Sequence, residues 1–296
     1  MKQLYACLFI ALIIPVLSYS QRFVYEFQSF EEFVSIDGIT FFVAQDAEHG
    51  KELWKTDGSE KGTVLVKDIY EGGSSSNPAN LFVFKGSVYF SADNGILGSE
   101  LYKTDGTASG TIMVKNIHEA HRVGSQPGNF TQYNNELYFT ATNKYINGSY
   151  NLYKTDGTAE GTVLVYELGP YTTASFGNLT VANNKLYFRN SRSSFLYEYD
   201  SATNQVTVKE IDEHLSVNYL NSFNNELYFI THTTYNQEIH FYRLPESGTI
   251  VRLKDFAQEQ YGNIDIKNFI QVGDQVYFSM TIEDGSGNYS NELWKT

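Results

Sequence analysis

Residues 52–69 read ELWKTDGSEKGTVLVKDI, and the phrase returns as ELYKTDGTASGTIMVKNI at 100–117 and NLYKTDGTAEGTVLVYEL at 151–168. Fainter copies stand at 195–211 (FLYEYDSATNQVTVKEI) and 240–256 (HFYRLPESGTIVRLKDF), and ELWKT occupies 292–296. A period of this kind is read before any local structure, because an overlooked repeat misassigns the whole fold.

Working outward, a second phrase precedes each copy: ITFF, SVYF, ELYF, KLYF, ELYF and QVYF. Its aromatic positions Phe41, Tyr89, Tyr138, Tyr187, Tyr228 and Tyr277 are spaced by 48, 49, 49, 41 and 49 residues. A third piece opens on a large apolar residue, at Phe30, Leu81, Phe130, Leu179, Leu220 and Phe269. Between the pieces stand turn residues such as Asn134-Asn135, Asn183-Asn184, Asn224-Asn225, Gly273-Asp274 and Asp57-Gly58. Each unit is thus four short segments of β-branched and aromatic residues joined by tight turns, which is a four-stranded antiparallel meander.

Alternation is poor in the second and third segments, where Leu137, Tyr138 and Phe139 or Leu53 and Trp54 put bulk on both faces of a strand. A sheet apolar on both faces has to stack between neighbours. Six such sheets cover every face by arranging themselves radially, and the period fits a propeller blade. The fold expected is all-β: a six-bladed β-propeller of four-stranded antiparallel blades over about 30–69, 81–117, 129–168, 178–211, 220–256 and 267–296. The last unit holds three strands, and RFVYEF at 22–27 stands unassigned before the first, its Val24–Phe27 resembling Val165–Leu168. The amino-terminal strand 22–27 is therefore expected to complete the last blade and close the ring without a free edge. The rival reading is a piece of a longer array, a structural module of a larger surface protein.

The first twenty residues carry one charge at Lys2, an apolar run from Leu4 to Leu17 and small residues at Ser18 and Ser20. This is the pattern of an export signal cut after Ser20, shorter than a spanning helix needs. Cys7 is the only cysteine, so cleavage leaves a single propeller domain over 21–296 with no disulfide. The formal charge of −13 argues against nucleic acid and anionic membranes, which recruit Lys and Arg. A secreted or outer-surface monomer follows as the expectation.

With ELWKTDG, ELYKTDG, NLYKTDG and ELWKT in view, the chain resembles the ELWxxDGT-repeat proteins, exported bacterial proteins built from tandem copies of this motif. The resemblance spans nearly all of residues 21–296 and is eroded where Tyr199-Asp200-Ser201 and Leu244-Pro245-Glu246 replace the Thr-Asp-Gly turn. It implies export and a propeller-like fold at or outside the cell surface, and it carries over no catalytic residue.

Two sets of residues are candidates for binding. Asp57, Asp105 and Asp156 recur in consecutive units and should line one rim, as cation ligands or polar contacts for a glycan. Against this, Asp before Gly caps a turn, and the oxygen-rich spacing of a calcium loop is missing. Trp54, Tyr102, Tyr153 and Trp294 offer stacking faces for sugar rings, although an aromatic repeated at one strand position also suits inter-blade core. His118-Glu119-Ala120-His121 is one residue short of the zinc-protease pattern. Sequons at Asn129, Asn147, Asn178 and Asn288 arise readily in an Asn-rich chain and carry no assigned function. No nucleophile elbow, phosphate loop or dinucleotide fingerprint is present, so no catalytic residue, metal site or cofactor is assigned, with calcium the one ion kept in view. The function expected is a noncatalytic binding scaffold for a glycan or a surface protein. The competing reading is an extracellular hydrolase or lyase with its site at the central channel.

Overall fold

A computed structural model describes residues 26–120, 122–143, 149–168, 176–190, 194–211, 215–233, 238–256, 263–283, 286 and 288–295. The first sheet is β1 (Ser29–Ile36), β2 (Ile39–Asp46), β3 (Gly50–Thr56) and β4 (Val64–Lys67), and the second is β5 (Ala79–Phe84), β6 (Ser87–Asp93), β7 (Ser99–Thr104) and β8 (Ile112–Lys115). The third is β9 (Gly128–Tyr133), β10 (Glu136–Ala141), β11 (Asn151–Thr155) and β12 (Val163–Tyr166), and the fourth is β13 (Phe176–Ala182), β14 (Lys185–Asn190), β15 (Phe195–Asp200) and β16 (Gln205–Glu210). The fifth is β17 (Leu215–Phe223), β18 (Glu226–Thr233), β19 (Ile239–Leu244) and β20 (Val251–Phe256). The sixth, β21 (Asn263–Val272), β22 (Gln275–Glu283) and β23 (Tyr289–Lys295), has three strands among the described residues. Every sheet is an antiparallel meander in chain order, as the segment pattern requires.

The first and second strands of each sheet are joined by turns whose residues accept positive φ. Asn134-Asn135, Asn183-Asn184 and Asn224-Asn225 hold both central residues there, as do Asp37-Gly38 and Lys85-Gly86. This is the mirror-image hairpin turn that matches strand twist.

Successive sheets abut through their first strands, β1 against β5, then β9, β13, β17 and β21 in turn. The crowded segments explain the stacking. Phe41 and Phe42 are neighbours on β2 and so face opposite sides, yet both are buried. Phe41, Leu53 and Val66 of the first sheet pack with Val88, Phe90 and Tyr102 of the second, and Tyr89 and Leu101 pack with Phe139 and Tyr153 of the third. Each such Leu or Phe side chain contributes about 1.5–3 kcal/mol on leaving water.

Lysines stitch the outer parts together. Lys55 Nζ donates to Gly106 O at 2.7 Å and Lys67 Nζ to Thr111 O at 2.9 Å; one sheet on, Lys103 reaches Gly157 O at 2.7 Å and Lys115 reaches Thr162 O at 2.6 Å. The K of ELWKT and the K of VLVK thus each satisfy a carbonyl of the next hairpin.

Two details differ from the sequence reading. Phe30 does not open the first unit: the bulge in β1 lies between Glu31 and Phe33, so Phe33 follows a left-handed Glu32 as Leu81 follows a left-handed Asn80. The strand expected over 22–27 falls mostly outside the described residues, as does the export signal, and Glu26 and Phe27 are not in a strand. No helix of the described residues is long and apolar enough to cross a membrane.

Candidate functional site

The three carboxylates Asp57, Asp105 and Asp156 are tied into their own hairpins. Asp57 Oδ1 accepts the Ser59 N–H at 2.8 Å and the Ser59 hydroxyl at 2.6 Å. Asp105 does the same with Thr107 at 2.8 and 2.7 Å, and Asp156 with Thr158 at 2.8 and 2.8 Å. These bonds hold all three carboxyls below the usual range. A Cβ on Gly62, Gly110 or Gly161 would stand 2.0, 2.1 or 2.1 Å from the same oxygen, which is why glycine follows at fixed spacing.

Three of the four motif aromatics are core, and Trp294 is half-buried against Phe256. Trp54, Tyr102 and Tyr153 are 4, 6 and 6 % exposed, too little to offer a ring face to a sugar. Tyr102 stacks on Phe90 at 5.9 Å and Tyr153 on Phe139 at 5.7 Å. Burial raises both phenols to about 12.

The motif glutamate was not singled out from the sequence, and the structure gives it a definite task. Glu52 and Glu100 are fully buried and accept bonds from the backbone of the linker to the next sheet. Glu52 takes the N–H groups of Ile69, Tyr70 and Ser76 together with the Ser76 hydroxyl. Glu100 takes those of Ile117, His118 and Ser125 and the Ser125 hydroxyl. Desolvation pushes both carboxyls up against the pull of these donors. In the third sheet Asn151 serves instead, accepting from Leu168 N–H at 3.0 Å and donating to Asn143 Oδ1 at 3.2 Å.

A concave polar surface lies where the second and third sheets abut. Glu32, Asn80, Asn129, Asn178, Tyr219 and Asn268 all have φ between 48 and 61° at bulges in the first strands, and all six are exposed. Asn tolerates this left-handed conformation better than most residues, and bulges re-aim side chains. A groove of about 320 Å³ opens beside two of them, bounded by Asn80, Asn129, Ser91, Ser99, Gln126, Thr140 and Tyr150. Asn80 Nδ2 donates to Pro127 O at 3.3 Å, Asn129 Nδ2 to Thr140 Oγ1 at 2.9 Å, and the Tyr150 hydroxyl to Gln126 Oε1. Tyr150 is the groove's one titratable side chain, and burial raises its phenol. The lining is therefore uncharged at neutral pH, with amide and hydroxyl donors and acceptors beside one aromatic ring. The signal for it was legible: Asn80, Asn129, Asn178 and Asn268 each precede an apolar residue already recognised as recurring, but Asn129 and Asn178 were read only as sequons and Asn80 and Asn268 were not singled out.

His118 is buried, its Nδ1 accepting from Ala120 N–H at 3.3 Å, while His121 lies outside the described residues. Among the described residues no group of three or more His, Cys, Asp or Glu side chains is placed to hold a metal.

No family model matches the chain, and no curated protein matches it. Solved structures do. Oligopeptidase B from Leishmania major superposes with a TM-score of 0.56 at 11% identity, over 90% of this chain and 39% of that one. A puromycin hydrolase gives 0.53 at 13%, over 89% and 45%. YCF48 from Cyanidioschyzon merolae gives 0.50 at 11%, over 89% and 84%. The chain spans less than half the length of the first two. At these identities the likeness is one of fold alone, and the fold shared is a propeller-type scaffold of repeated antiparallel sheets.

Proposed function

We propose that the chain is an exported, noncatalytic six-bladed propeller of the ELWxxDGT-repeat kind, closed into a ring by strand 22–27, which binds a neutral, hydroxyl-rich ligand such as a glycan. The observation that carries the binding reading is the groove between the second and third blades. Its walls pair amides and hydroxyls with Tyr150 and offer no charge to a charged ligand. Sugars are recognised by such groups, a flat aromatic against the ring face and bidentate amides at the hydroxyls. The rigid sheets on both sides hold the groups in place without ordering cost at binding. A surface protein presenting such sugars is the partner class that follows, with a monomer as the binding unit.

Screening the exported chain on a glycan array tests this. Binding to at least one neutral glycan is expected, with Tyr150→Ala weakening it at least about tenfold, the loss of one stacked ring of about 1.4 kcal/mol, while leaving the melting temperature nearly unchanged. Binding that needs calcium would move the site to the rim carboxylates. No glycan retained, or hydrolysis of one, would sink the reading.

A further inference from the structure

The fourth strand of each of the first five units carries one phrase at or across its end: VKDI at 66–69, VKNI at 114–117, VYEL at 165–168, VKEI at 208–211 and LKDF at 253–256. A sixth copy, VYEF, stands at 24–27, and the sixth sheet is the one that lacks a fourth strand among the described residues.

The last residue of the phrase always packs forward onto the next sheet. Ile69 joins Phe90 and Tyr102, Ile117 joins Phe139 and Tyr153, and Leu168 joins Phe188 and Tyr197. Phe256 meets Phe278 edge-on at 6.3 Å and 84°, and Trp294 at 5.2 Å and 87°. Phe27 meets Phe42 at 5.5 Å and 81°, and Trp54 at 4.8 Å and 77°. Phe42 pairs with Trp54 across β2 and β3 as Phe278 pairs with Trp294 across β22 and β23. Phe27 therefore stands on the first sheet where the end of a preceding sheet's fourth strand belongs.

The rest of that face repeats the same plan. Phe33 stacks on Phe42 at 5.9 Å and 18°, as Phe269 stacks on Phe278 at 5.4 Å and 30°. In the fifth-to-sixth junction Phe241 covers that pair, 5.8 Å from Phe269 and 5.3 Å from Phe278. The register equivalent of Phe241 in the sixth sheet is Leu293, matching Leu53, Leu101, Leu152 and Leu196. Those five equivalents are at most 2 % exposed, whereas Leu293 is 76 % and Phe33 58 % exposed. An apolar cleft of about 210 Å³ lies on the first sheet beside Phe27, Phe30, Phe33 and Phe42.

We infer that this cleft is the receptor for Leu293 of the same chain, delivered when VYEF pairs along the open edge of β23. The inference rests on the closed-ring reading above and names the contacts that make it. The occupant is the same chain because Phe27 lies two residues before β1, so a strand ending there is tethered to the first sheet and meets β23 at high effective concentration.

The test is thiol reactivity in a Cys7→Ser background, which leaves no other cysteine. Leu293→Cys and, separately, Phe33→Cys should each be alkylated at least about tenfold more slowly than the exposed hairpin control Lys61→Cys, in a chain that sediments as a monomer. Rates equal to the control would overturn the inference, and so would protection found only in a dimer, which would make the occupant a second copy. Two probes on opposite sides of the contact keep the result readable if one variant does not fold. Protection without glycan binding would remove the ligand reading and leave the junction standing; the reverse result would do the opposite.

Discussion

Glu100→Gln is expected to lower the unfolding free energy by about 3–5 kcal/mol, two buried donors losing their acceptor at roughly 1–3 kcal/mol each with added strain from the opposed amide. The four groups that Glu100 accepts are all donors: Oε1 takes the N–H groups of His118 and Ser125 at 3.2 and 3.0 Å, and Oε2 takes the Ile117 N–H at 2.9 Å and the Ser125 hydroxyl at 2.6 Å. Glutamine keeps one oxygen and turns its own NH₂ toward the remaining pair. Urea unfolding followed by far-ultraviolet circular dichroism measures the loss. The pH dependence has a definite sign. Burial raises the folded pKa of Glu100 above its ordinary value of 4.5, so its contribution is complete below that value and is lost as pH rises through the folded pKa. Glutamine does not titrate, so the deficit of the variant should be larger near the acid end of this window than at pH 8. An equal or smaller deficit in acid would mean that the donors outweigh desolvation.

Gly98→Ala should cost about 3 kcal/mol or more, a loss of this size being confined to strained or overpacked backbone sites. Its φ of +80° is unfavourable for alanine, and a Cβ would stand 2.5 Å from Gly124 N and 2.7 Å from Val123 C. Both obstacles are backbone, so no rotamer change relieves them. Gly38→Ala is the control. Its φ is also +80° but nothing lies within 4 Å, so it should cost only about 1 kcal/mol. Because Gly98 adjoins Ser99 and Gly124 lies two residues from Gln126, the first variant should also weaken any ligand held in the groove. Thermal melts of the three proteins separate strain from contact, and equal losses for Gly98→Ala and Gly38→Ala would deny the close approach of the two loops.

Much of the architecture was legible because it is written several times over. The Asn-Asn turns, the YF strands and the ELWKT strands each fix a local conformation, and crowding on both faces of those strands fixed how the sheets stack. Phe33 was missed in favour of Phe30 because a bulge adds a residue inside the strand, and apolar pattern alone does not reveal it. The glutamate of the motif was passed over for a different reason. A buried carboxylate is costly in isolation, and only the folded linker supplies the donors that make Glu52 and Glu100 acceptable. The rim aspartates and motif aromatics were legible as chemistry that turns and cores also use, and the geometry shows those uses. The groove combines side chains from β5, β6, β7, β9, β10 and the segments before β9 and β11, so no single stretch of sequence announces it.

Small-angle scattering from the chain tests most directly whether the repeats shelter one another about a common hub. A closed disc of this length should give a radius of gyration of about 19 Å and a single compact distance distribution. A radius of gyration above about 25 Å, with an extended tail in that distribution, would show successive sheets strung out with their aromatic faces in water.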